Sequence, residues 1–107
     1  MKTIFQFVSA FGFAALVSCA ALAKPAECFS TDDGYFDCDF IITDSDGSFE
    51  AHGAAVTHSL VMDSPGRAFG YVNFGDRNIS LPGVFVRETS DRACWRNVDT
   101  GARLCAW

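Results

Sequence analysis

Apolar and polar residues alternate in short runs along most of this chain, and each run stops at a cluster of Gly, Pro, Asp or Ser. Phe36 to Thr43 puts Phe36, Cys38, Phe40 and Ile42 on one face and ends at Asp44-Ser45-Asp46-Gly47. Ser48 to His52 forms a short return strand. Val56, His58, Leu60 and Met62 then alternate towards Asp63-Ser64-Pro65-Gly66, and Ala68 to Phe74 follows. Asn78 to Leu81 and Val84 to Arg87 are parted by Pro82-Gly83, and Glu88-Thr89-Ser90-Asp91 leads to a last hairpin. A period of two broken by turn residues predicts strands, and no helical period occurs beyond the N-terminal segment. The expectation is an all-β domain, a small antiparallel barrel or sandwich of about 6–8 short strands with two local disulfides.

The last hairpin can be registered by counting. If Cys94 faces Cys105, then Trp95 faces Leu104, Arg96 faces Arg103 and Asn97 faces Ala102. Val98-Asp99-Thr100-Gly101 remains as a four-residue loop, with Gly101 free to take φ > 0. A three-residue loop would slip the register by one and send the two sulfurs to opposite faces. The pairing sorts the side chains as well. Like charges directly opposite each other destabilise a strand pair, so Arg96 and Arg103 are expected on the solvent face and Trp95 and Leu104 in the core. Trp107 then stands on the arginine side near the disulfide, or frays.

Cys28 and Cys38 suggest a second stapled hairpin. A three-residue Asp32-Asp33-Gly34 loop, with Gly34 in the left-handed region, sets the two cysteines opposite one another. Four cysteines allow three connectivities, and spacing favours the local pairs Cys28–Cys38 and Cys94–Cys105.

The fifth cysteine falls in the N-terminal segment. Lys2, the apolar run Ile4 to Val17 and Ala21-Leu22-Ala23 before Lys24 make residues 1–23 a secretory signal. The run is too short for a membrane span, which needs about 20 residues. Leu16-Val17-Ser18-Cys19 also resembles the lipobox of bacterial lipoproteins, which gives an alternative signal of residues 1–18 with Cys19 acylated. Cleavage after Ala23 is preferred, because the lipobox leaves only a short tether before Cys28. Either route removes Cys19 from disulfide chemistry. Residues 24–107 are then one domain, exported to a periplasmic or extracellular space, or lipid-anchored to the envelope through Cys19.

Charge narrows the partners. The whole chain carries a formal charge of −5. The acids concentrate before Ser64 and the arginines after it, which leaves the second half slightly basic. Complementary halves can neutralise one another in the fold; alternatively, a two-signed surface can orient a protein partner. The net sign and the lack of a lysine cluster argue against nucleic acid.

Motif by motif, enzymatic chemistry finds little support. Asp44-x-Asp46-Gly47 lacks the acid at position 42 and the glutamate at 53 that an EF-hand loop needs, and reads as a turn. The cysteines lack a C-x-x-C pair, which removes the zinc reading. His52 and His58 are the only histidines. Joined through Gly53-Ala54-Ala55 they could approach each other, but no third partner is marked by spacing. Asn78-Ile79-Ser80 is an N-glycosylation triplet that matters only where that chemistry operates, and the lipobox-like stretch points to a bacterial source.

Small size, export and a stapled barrel resemble the architecture of periplasmic lysozyme inhibitors, although the Ser-Gly-x-x-Tyr signature associated with that family is absent here. The resemblance implies a binding or inhibitory module, with loops carried on a rigid sheet. The expected protein is a monomeric, non-enzymatic module for an envelope or secreted protein, with Arg96, Arg103 and Trp107 as binding residues and no cofactor or metal. The competing expectation is a small hydrolase or metal-binding protein that uses His52 and His58.

Overall fold

The structure, a computed structural model, describes residues 22–107. Only Leu22 and Ala23 of the predicted export signal fall within them; the rest, with Cys19 and its lipobox, lies outside.

Nine antiparallel strands form one sheet: β1 (Lys24–Ser30), β2 (Gly34–Ile42), β3 (Phe49–His52), β4 (Thr57–Ser64), β5 (Arg67–Asn73), β6 (Asn78–Ser80), β7 (Phe85–Arg87), β8 (Cys94–Asn97) and β9 (Arg103–Ala106). Their order is β4-β3-β2-β1-β9-β8-β7-β5-β6, and β4 also pairs with β5. That pairing closes eight strands into a barrel, which settles barrel against sandwich. Closure matters to a domain this small, because it leaves no open edge in the ring.

The strand outside the ring, β6, runs in line with β7. β6 pairs with Tyr71–Asn73 of β5 and β7 pairs with Arg67 and Ala68, while β4 occupies the opposite edge of β5. Leu81 N donates to Gly70 O at 2.9 Å between the two segments. Residues 78–87 therefore follow a single edge of β5, and Pro82-Gly83 bends them away from it midway. Proline supplies no donor to a ladder, so the break falls there.

Both disulfides join the predicted cysteines, but the two hairpins differ in register. Cys94 lies directly opposite Cys105, Trp95 opposite Leu104 and Arg96 opposite Arg103. Asn97 N donates to Ala102 O at 2.8 Å, and Gly101 takes φ 78°, as the four-residue loop requires. In the first hairpin, Ser30 pairs with Gly34 and the loop is Thr31-Asp32-Asp33, so Cys28 faces Phe36 and Cys38 faces Ala26. The expected register is thus off by two, and the cysteines are diagonal neighbours with Cα atoms 5.9 Å apart. A slip of two keeps every side chain on its face, which is why the bridge still forms.

The faces follow the alternation. Phe49, Leu60, Ala68, Phe85, Trp95 and Leu104 form the main core, flanked by Phe40, Met62 and Leu81. Cys28, Cys38 and Ala51 form a second cluster with Ala26, Phe36 and Ala106. Ile42 shares the face of Phe36, Cys38 and Phe40, opposite Phe49. It is exposed nonetheless, because it is the last residue of β2. Gly70 is buried against Phe85, and a β-carbon there would stand 2.5 Å from the ring. Asn97 is the one buried amide of the last hairpin. Its Oδ1 accepts from Asp99 N and Thr100 N at 2.9 and 3.1 Å, and its Nδ2 donates to Pro82 O at 2.7 Å. One side chain thus ties the β8–β9 loop to the bend before β7.

Candidate functional site

The outer face of β2, β1, β9 and β8 carries two adjoining rows of side chains. Tyr35 pairs with Phe29, Phe29 with Cys105 and Cys105 with Cys94, so these four share one row. Arg103, Arg96, Val86 and Arg67 make the next row through β9, β8, β7 and β5. Two positions beyond Cys105, Trp107 falls on the same outer face. The Cys94–Cys105 bridge is therefore on the outside of the barrel, although both of its residues are fully buried.

Trp107 does not fray. Its indole Nε1 donates to Asp91 Oδ2 at 2.9 Å, and its backbone N donates to Glu27 O at 2.9 Å. Its ring stacks on Tyr35 with centroids 6.0 Å apart and 24° between planes. Phe29 backs Tyr35 at 4.9 Å and 59°. Tyr35 and Trp107 nevertheless remain 68% and 48% exposed. The indole donor and the Ala93 N–H hold the Asp91 carboxyl below the ordinary aspartate range.

The two arginines meet a single acid. Arg103 Nε and Nη2 donate to Glu88 Oε2 and Oε1 at 2.7 and 3.0 Å, a two-pronged contact. Arg96 reaches the same carboxylate only at 3.8 Å, with its side chain 56% exposed against 11% for Glu88. The Arg103 hydrogen bonds hold the Glu88 carboxyl low in spite of its burial, and the charges of Arg103 and Arg96 add to this. The same bonds hold the Arg103 guanidinium further towards its charged form. Asp37 and Asp39, acids of the N-terminal half, are not partners of the pair. They lie on β2, where Asp37 faces Glu27 and Asp39 faces His52. Arg103 is thus committed to Glu88, while Arg96 is largely free.

The histidines are not brought together. Ala51 pairs with His58 and His52 with Thr57, so alternation sends the two rings to opposite faces of the sheet. His52 Nε2 meets Glu50 Oε1 at 2.7 Å and its Nδ1 meets Thr57 Oγ1 at 3.3 Å. His58 is buried, with Nε2 3.1 Å from Asp33 Oδ2. Ser30 Oγ donates to that same oxygen at 3.0 Å. A nucleophilic serine needs a histidine on its hydroxyl, with the acid behind the ring. Here serine and histidine converge on the acid, an arrangement that pins the β1–β2 loop. Asp44 likewise is a turn residue: its Oδ1 accepts from Asp46 N and Ser48 N at 2.9 and 3.0 Å. Those Ser48 and Asp46 contacts hold its carboxyl low. Among the described residues no group of three or more His, Cys, Asp or Glu could hold a metal ion.

Four members of the outer face escaped the sequence reading: Phe29, Tyr35, Glu88 and Asp91. Phe29 and Tyr35 were within reach, since both alternate outward from the buried Cys28 and the half-buried Phe36. Glu88 and Asp91 gave no signal, because they lie in the connection between β7 and β8, outside the strand alternation that orders side chains by face. Compared with protein-family models, with curated proteins and with solved structures, the chain matches none.

Proposed function

We propose that this chain is an exported, non-enzymatic binding module that engages a protein of the envelope or the secreted space, in the manner of an inhibitor. Its working surface is the outer face of β1, β2, β8 and β9. The observation that carries this reading is the Tyr35–Trp107 stack, exposed and yet fixed by two hydrogen bonds on Trp107. Exposed aromatic rings and arginine are the residues that dominate protein interfaces. Rings already held in place lose little freedom on binding, so more of their contact energy appears as affinity. Trp107, Tyr35 and Arg96 are the anchors, and Arg103 holds Glu88 beside Arg96. The two disulfides suit an oxidising compartment outside the cytoplasm. No helix among the described residues is long and apolar enough to cross a membrane.

The test is capture from envelope and culture extracts with the purified domain, followed by reconstitution with the purified partner. Trp107→Ala and Tyr35→Ala should lose the partner while melting close to the parent. A partner held equally by both variants would remove this surface from the function. Turnover of a substrate that is abolished by His58→Ala would replace the binding module with an enzyme.

A further inference from the structure

Trp107 ends a row of acids. On the outer face Asp37 pairs with Glu27, and the backbone N of Trp107 donates to Glu27 O. Asp37, Glu27 and Trp107 therefore run side by side across β2, β1 and the residue after β9. Tyr35, Phe29 and Cys105 form the neighbouring row, about 7 Å away. On the other side lies Asp39, opposite Pro25 and His52. We infer that this face receives a lysine or arginine side chain of the protein partner, seated against Trp107 with Glu27 and Asp37 as its counter-charges. The inference deepens the binding-module reading and rests on it.

Three observations lead to a basic side chain. The first is charge that the fold leaves unanswered. Like charges directly opposite each other destabilise a strand pair, yet Glu27 faces Asp37. Among the described residues the ion pairs engage Asp33, Glu50, Asp63 and Glu88, and none reaches Glu27, Asp37 or Asp39. Lys24, on the same strand as Glu27, stands opposite Phe40 on the alternate set of positions. His52, opposite Asp39, is held by Glu50 at 2.7 Å. The second is room. An open hollow of about 420 Å³ adjoins the row, with Pro25, Asp37, Asp39 and His52 in its lining. The third is the indole. Trp107 is half exposed and gives one ring face to the Tyr35 stack. Aromatic faces attract cations, tryptophan most strongly, and the apolar stem of a lysine or arginine packs on the same ring. Acids alone would suit any cation; the exposed rings beside them call for one on an apolar stem. Arg96 belongs to the row of Arg103, two rows from Glu27, so the surface carries opposite signs at its two ends. That polarity fixes which way round a basic partner lies.

The experiment titrates the folded domain with a blocked trilysine peptide and a blocked triglutamate peptide, at low and at physiological ionic strength. Tryptophan emission is the readout, because Trp107 lies in the row while Trp95 is buried. Trilysine should change the emission saturably and bind more weakly as salt is added. Triglutamate should leave the emission unchanged. Glu27→Gln and Asp37→Asn should each weaken trilysine about two- to fivefold, as the loss of one exposed ion pair does, and should melt at or slightly above the parent. Asp76→Asn removes an equal charge from the turn between β5 and β6, and should bind trilysine as the parent does. Undiminished binding to the variant that combines Glu27→Gln with Asp37→Asn, or an equal loss for Asp76→Asn, would overturn the assignment. A clear fall in melting temperature for either acid variant would do so too, since the acids would then serve the fold. The two readings can fail separately. A partner lost by Trp107→Ala but held fully by the combined acid variant leaves the binding module and removes the basic side chain. Trilysine bound at Glu27 and Asp37 with no protein partner on the aromatic face does the reverse.

Discussion

The indole N–H of Trp107 donates to the carboxylate of Asp91, 2.9 Å away and sixteen residues earlier in the chain. The bond fixes the orientation of a ring that is otherwise free on one side. Asp91→Ala should leave the melting temperature nearly unchanged but increase the mobility of the ring. The measurement is fluorescence anisotropy with Trp95 as the internal rigid reference. The same variant should weaken partner binding less than Trp107→Ala does, since the ring stays and only its fixing is lost. An unchanged anisotropy would mean that the Tyr35 stack alone holds the ring.

Glu88 makes acid pH a test of the outer face. Its carboxyl is held below the ordinary range by Arg103, so it binds fewer protons in the folded chain than in the unfolded one. Its contribution is complete above the unfolded value of about 4.3 and is lost as pH falls through the lower folded value. Thermal melts from neutral pH down to about pH 3 should therefore fall less steeply for Glu88→Gln than for the parent. Identical slopes would show that the Glu88–Arg103 contact contributes no pH dependence.

Gly70 is required by space. A β-carbon would press on Phe85 in the core, and Phe85 is closed in by its neighbours in the main cluster. Gly70→Ala should cost roughly 1–3 kcal/mol, as overpacking does in other cores. For a domain of this size that is a fall of about 4–8 °C per kcal/mol. A simultaneous Phe85→Leu should recover part of the loss, which a backbone effect at Gly70 would not allow.

Asn97 joins two loops through three hydrogen bonds from a buried amide. Asn97→Ala leaves Asp99 N, Thr100 N and Pro82 O without those partners, at about 1–3 kcal/mol for each that stays buried. Amide exchange should accelerate first in the β8–β9 loop. Asn97→Asp keeps an acceptor for the two N–H groups but sets a second acceptor oxygen against Pro82 O in a buried site, so it should slow loop exchange relative to the alanine variant while still lowering the melting temperature.

The outer bridge closes the hairpin that carries Trp107. Replacing Cys94 and Cys105 by serine together should destabilise by about 2–4 kcal/mol. Loss of the Tyr35–Trp107 stack should accompany this, visible in near-ultraviolet circular dichroism. A stack that persists would show that the β1–β9 pairing alone holds β9 in place.

Parity is what the sequence determined. In the last hairpin, two cysteines eleven positions apart share a face only with an even loop. That fixed the register, the burial of Trp95 and Leu104, and the outward arginines. In the first hairpin, loops that differ in register by two both keep Cys28 and Cys38 on one face. The bridge was legible there and its diagonal geometry was not. The fold class was legible for the same reason, since alternation and turn residues act within a few positions of each other.

Only the tertiary structure decided which distant strands become neighbours. Pairing of β1 with β9 brings Phe29 and Tyr35 to Trp107, and the course of the chain between β7 and β8 brings Glu88 to both arginines. The sequence could place Arg96 and Arg103 side by side but could not name the acid between them. His52 and His58 show the reverse case: near in sequence and joined by a tight turn, they are parted by the alternation of the strands that carry them. Hairpin contacts follow from turn chemistry and the two-residue period, both local. Contacts across the barrel depend on which sequence-distant strands meet, here β1 against β9, and no short segment of the chain encodes that.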